Sequence, residues 1–81
     1  MEYLKYVKCG SITPGAFPEK AVILDTHGLM AKIRVSGGTV YVFGDARDGE
    51  YPLEDGDTLD FIGVMCFYGS GEISYILFDG I

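Results

Sequence analysis

Apolar residues fall along this chain in short runs separated by glycine or by acidic turns. No window of eleven or more residues keeps an i, i+3, i+4, i+7 apolar stripe, so the pattern predicts no long helix. It predicts strands instead. The clearest is Leu29–Val35, where Ala31, Ile33 and Val35 alternate with Lys32 and Arg34. That period of two puts one face in a core and one in water. Further strands are expected at Tyr3–Lys8, Ala21–Leu24, Thr39–Phe43, Thr58–Ile62, Val64–Tyr68 and Glu72–Phe78, with a short one at Tyr51–Leu53.

Glycine and proline supply the breaks. SITPGAFP reads as a loop after the first strand, and Asp25-Thr26-His27-Gly28 as a turn. Gly37-Gly38, lying between IRVS and TVYVF, carries a hairpin signal, because a type I′ turn needs positive φ at both central residues. Gly69-Ser70-Gly71 is expected to close a second hairpin. About seven short strands at this spacing predict an all-β chain, a small antiparallel β-sandwich or barrel occupying residues 1–81 as a single domain.

Three strands break the alternation. In TVYVF, the Val40 and Val42 face is apolar, and so is the Tyr41 and Phe43 face. In VMCFY, Met65 and Phe67 oppose Val64, Cys66 and Tyr68. In EISYILF, Ile73, Tyr75 and Leu77 oppose Ser74, Ile76 and Phe78. Size makes this matter. An 8.8 kDa chain buries about 63% of its unfolded surface and keeps about 4,800 Å² exposed. Yet 48% of its residues are hydrophobic and its mean hydropathy is +0.22. So small a sheet protein is ill placed to cover both faces of three strands by itself. A second copy is the expected cover, with Tyr41, Phe43, Met65, Phe67, Tyr75 and Ile76 as the expected oligomer interface.

Charge divides the chain. Residues 1–47 hold six bases and four acids, +2; residues 48–81 hold eight acids and no base, −8. Six of those acids, Asp48, Glu50, Glu54, Asp55, Asp57 and Asp60, crowd into residues 48–60. A net charge of −6 disfavours direct nucleic-acid binding, which needs a basic surface. The acidic segment reads as a solvated turn that aids solubility, or as a face for a basic partner. Calcium-loop spacing fails, because Arg47 and Gly49 stand where ligands would be needed after Asp45.

Candidate chemistry is sparse. His27 is the single histidine, in an expected turn with no diagnostic nucleophile spacing. Cys9, His27 and Cys66 are scattered, so no zinc set, other metal or cofactor is expected. The two cysteines are too few for a disulfide framework and read as reduced, partly buried thiols, although a bridge between them is geometrically open at this level. Gly69-Ser70-Gly71 lacks the lysine and helix of a phosphate loop. No catalytic residue is assigned. No run reaches the ~18–20 apolar residues of a membrane helix, and the N-terminal residues carry no secretory signal. Synthesis in the cytoplasm, with no membrane partner, is the expectation.

Residues 39–81 carry a resemblance. TVYVF, an acidic turn, YPLEDGDTLDFIG and an aromatic hairpin ending EISYILFDGI are similar to small β-rich virion-associated proteins of tailed phages and prophages. The resemblance covers about half of the chain. It implies a decoration, fibre or tail-accessory module: a non-enzymatic structural protein that forms a symmetric homo-oligomer. Its partners would be itself and other virion or host proteins. Two further classes remain open at this level. One is a small acidic inhibitor that binds a basic host protein, of anti-defence or nucleic-acid-mimic type, through residues 48–60. The other is a glycan reader using exposed tyrosines.

Overall fold

A computed structural model describes residues 5–43 and 49–79. They form eight strands and one short 3-10 turn, Pro18–Lys20. The strands are β1 (Lys5–Ile12), β2 (Val22–Asp25), β3 (Met30–Ser36), β4 (Val40–Phe43), β5 (Tyr51–Leu53), β6 (Thr58–Phe61), β7 (Val64–Gly69) and β8 (Glu72–Asp79). The expected strands are all present, one more than the rounded count of seven. The first differs most in extent. It runs on through Gly10, Ser11 and Ile12, because Ile12 pairs with Ile73 and packs on the core. Residues 1–4, where that strand was expected to begin, lie outside the described residues.

Two four-stranded antiparallel sheets stack face to face, with orders β1-β8-β3-β6 and β2-β7-β4-β5. The strands also pair as β1·β8, β2·β7, β3·β6 and β4·β5. The chain is therefore one long ribbon of paired strands with its tip at β4–β5. Folded across itself, the ribbon gains the contacts β3·β8 and β4·β7. This is the strand order of an eight-stranded jelly roll.

The ribbon bends three times, and at each bend its two arms stay hydrogen-bonded. Between β1·β8 and β2·β7, Gly69 N–H donates to Gly15 C=O at 2.8 Å. Between β2·β7 and β3·β6, Thr26 N–H donates to Gly63 C=O at 2.9 Å, and Gly63 N–H donates to Thr26 Oγ1 at 2.8 Å. Between β3·β6 and β4·β5, Val35 N–H donates to Asp57 C=O at 2.9 Å, and Gly37 N–H donates to Asp55 Oδ1 at 2.9 Å. A bend of paired backbone leaves few polar groups orphaned, which lets the ribbon turn a corner without losing its ladder.

The two expected glycine hairpins are corrected by this topology. Gly37-Gly38 joins β3 in one sheet to β4 in the other, and Gly69-Ser70-Gly71 joins β7 to β8 in the same crossing manner. The reason is local and global together. Only Gly37 of the first pair has positive φ, so the type I′ geometry is not formed. Strand β3 is also already paired on both sides, with β6 and β8, leaving β4 no edge to join. Gly69 shows why glycine is needed at these crossings. Its φ is 141°, and a Cβ there would stand 2.2 Å from the Thr39 carbonyl oxygen.

The core lies between the sheets. Ala31, Ile33, Val35, Ile73 and Leu77 face Leu24, Val40, Val42, Leu53 and Phe67. Phe61 tilts against Phe67, with ring centroids 6.1 Å apart. Total accessible surface is 5183 Å², somewhat above the ~4,800 Å² expected for this mass.

Candidate functional site: the outer sheet faces

Pairing register assigns each side chain to a face, since directly opposed residues in antiparallel strands point the same way. On the β2-β7-β4-β5 sheet, Ile23, Cys66 and Phe43 form one outward row. Tyr68, Tyr41 and Pro52 form the next. Asp25 and Val64 form a third. Apart from Asp25, every residue in these rows is apolar or aromatic. Ile23 is 65% exposed and Val64 44%. Tyr41 and Tyr68 stack at 5.1 Å between centroids, and Tyr68 Oη donates to Glu50 Oε2 at 2.6 Å. Phe43 points outward by the pleat yet is only 6% exposed, tilted against Tyr68.

The outer face of the other sheet is different. Its rows are Phe78 and Met30, then Cys9, Ile76, Lys32 and Asp60, then Ser11, Ser74, Arg34 and Thr58, with Ser36 and Glu72 beyond. Apart from the Phe78–Met30 row, Cys9 and Ile76, that face is polar, and it bears both signs of charge. The sandwich has one outer face that is mostly polar and one that is almost wholly apolar.

This division corrects the expected interface. Of its six residues, only Tyr41 and Phe43 lie on the apolar outer face. Phe67 is fully buried between the sheets, and Met65 and Tyr75 pack against the same core. Ile76 lies on the polar face of the opposite sheet, between Lys32 and Cys9. The reading of strand faces was sound, but the choice of which face is inward was not legible from strands that are apolar on both. Ile23 and Val64 were missed as surface residues. Their strands have polar neighbours too few to mark a wet side.

The expected acidic face is also redistributed. Asp48 lies outside the described residues. Glu54, Asp55 and Asp57 sit in the β5–β6 crossing and stitch it. Asp55 accepts from Gly37 N–H, Asp57 Oδ2 accepts from Glu54 N–H at 2.8 Å, and Glu54 Oε2 accepts from Thr39 Oγ1 at 2.9 Å. Glu50 is bonded to Tyr68 beside the apolar face, and Asp60 stands on the polar face. These carboxylates do not share one surface. Three of them hold a bend of the ribbon.

His27 is the one described non-glycine residue with positive φ, at 51°. Asp25 holds it there: Oδ1 accepts the His27 backbone N–H at 2.9 Å, and Oδ2 lies 3.7 Å from Nδ1. Thr26 is fully buried and Leu29 N–H closes the turn onto its carbonyl at 2.9 Å. His27 therefore serves a turn. Cys9 and Cys66 point outward from opposite sheets, which stack about 10 Å apart, so a bridge between them is ruled out. Among the described residues, no group of three His, Cys, Asp or Glu could hold a metal ion, and no helix is long and apolar enough to cross a membrane.

Comparison with protein-family models, with curated proteins and with solved structures finds no match for this chain.

Proposed function

We propose that this chain is a non-enzymatic assembly module, of the virion-associated type that residues 39–81 resemble, and that it associates with copies of itself through the outer face of the β2-β7-β4-β5 sheet. One observation carries the reading: the two outer faces of the same sandwich differ, one mixed-charge and one apolar. A free antiparallel sheet keeps its outer face largely polar, as the central rows of the other sheet are. Ile23 and Val64 exposed beside an aromatic pair match the composition of interface cores, where aromatics are enriched and charges are few. Jelly rolls occur in viral capsid proteins, lectins and cupins, so the topology accommodates the reading without selecting it.

The size of the face sets the strength. Four strands about 4.8 Å apart and four or so residues long give a patch on the order of 300 Å². Standard stable interfaces bury about 800 Å² per partner. Self-association through this face is therefore weak and pairs two copies about a two-fold axis, because one patch meets the same patch of its partner.

Sedimentation equilibrium over a wide concentration range tests this. Concentration-dependent association is expected, maintained in high salt because the contact is apolar. Ile23→Lys and Val64→Lys, both at exposed positions, should leave the fold intact and abolish it. A chain that stays monomeric at high concentration, or lysine variants that associate as before, would remove the proposal. Genes for capsid or tail parts beside the coding sequence are the expected genomic context.

A further inference from the structure

The polar outer face contains a depression of about 250 Å³ lined by Lys32, Ile33, Arg34, Thr58, Ser74, Tyr75 and Ile76. Its shape follows from the register. Arg34 stands directly opposite Thr58 on one side and Ser74 on the other. These two short hydroxyl residues leave a dip between the longer side chains of Arg34, Lys32 and Ile76. Lys32 and Arg34 are two residues apart on β3, so they rise from the same face about 7 Å apart. Both are exposed.

Among the described residues, neither Lys32 nor Arg34 has an ion-pair partner, in a chain of net charge −6. Asp60 is directly opposite Lys32 in the ladder, yet no oxygen of it comes within 4.0 Å of the ammonium. The lining of the depression is almost wholly apolar, and the two cationic residues, Lys32 and Arg34, stand beside it on the same strand face. An apolar dip flanked by a guanidinium and an ammonium suits an amphipathic anion, whose oxyanion pairs with the cations while its apolar part fills the dip. The volume is just under the ~300–1,000 Å³ of common ligand sites, which limits the occupant to a small molecule or a single group.

We infer that this depression binds a small ligand bearing one oxyanion, a carboxylate or a phosphate, on a compact apolar body that covers Ile76. The inference is independent of self-association, because it uses the opposite sheet.

Amide NMR titration tests it with four probes. Benzoate and phenyl phosphate carry both the charge and the body. Inorganic phosphate carries the charge alone, and benzyl alcohol the body alone. The first two should shift the amides of Lys32–Arg34, Thr58 and Ser74–Ile76, and each should bind tighter than either partial probe. Lys32→Gln and Arg34→Gln should each weaken binding at least about tenfold. Arg34→Lys should weaken it too, since the fork geometry is lost. Ser74→Leu fills the dip without changing charge and should abolish binding. Asp60→Asn removes a like charge and should tighten binding about two- to fivefold. Absence of shifts with benzoate and phenyl phosphate overturns the inference. So does binding that survives Arg34→Gln together with Ser74→Leu, or benzyl alcohol binding as well as benzoate.

Discussion

Thr26 shows how much one side chain can carry in a protein this small. It is fully buried, its hydroxyl accepts the Gly63 N–H, and its own N–H and C=O are both bonded. Thr26→Val keeps the shape and leaves the Gly63 N–H without its acceptor, so it should cost about 1–3 kcal/mol in chemical denaturation. Thr26→Ser, which keeps the oxygen, should cost clearly less. Equal losses in the two variants would show that the hydrogen bond is not what Thr26 contributes. Phe67 is the largest fully buried side chain, and Phe67→Ala should cost about 3–5 kcal/mol. That is much of the stability of a small domain, and it places Phe67 in the core of the protomer instead of between protomers. At this scale the sequence was a partial guide. Alternation in MAKIRVS named Ala31, Ile33 and Val35 as core correctly. Phe67 and Met65 were assigned to an interface between copies, yet Phe67 is fully buried and Met65 packs on the core, because strand apolarity on both faces does not say which face is inward.

Elements here are defined as much by their crossings as by their strands. The β5–β6 crossing is held by carboxylates, and the test is whether they act by structure or by charge. Asp57→Asn retains an oxygen for Glu54 N–H, whereas Asp57→Ala does not. Thermal unfolding should show the alanine variant about 0.5–1.5 kcal/mol less stable than the asparagine one. If the two match, Asp57 is only a solvated charge. The acidic run 48–60 was visible in composition, but its use was not. Gly37, which Asp55 caps, lies 18 residues earlier in the chain, and Thr39, bonded by Glu54, lies 15 earlier. No local rule links such positions. The glycine pair at 37–38 misled for the same reason. Its chemistry permits a hairpin, and what forbids one is that β3 is flanked on both sides by β6 and β8.

On the scale of the whole molecule, the nested pairing sets the folding order. The strand pair at the tip, β4·β5, closes the shortest loop, while β1·β8 joins residues more than sixty positions apart. Loop-closure entropy favours forming the tip first, and so many distant pairings place folding in the millisecond-to-second range. Stopped-flow kinetics should show Val42→Ala slowing folding, while Ile12→Val mainly speeds unfolding. The reverse pattern would mean that the ends of the ribbon meet first. The sequence alone determined that the chain is all-β and where its strands fall, and it raised the expectation of a covered apolar face. Those follow from period, glycine spacing and the surface-to-volume ratio, which are local or global averages. Only the tertiary structure decided that consecutive strands mostly change sheets and that one outer face is almost wholly apolar and the other mostly polar. It also decided that Arg34, Thr58 and Ser74 meet in one row. Each of these depends on which distant strand lies alongside. Strands of the same length and apolar character can pair in several orders, and the choice among them is made by the packing of the whole ribbon.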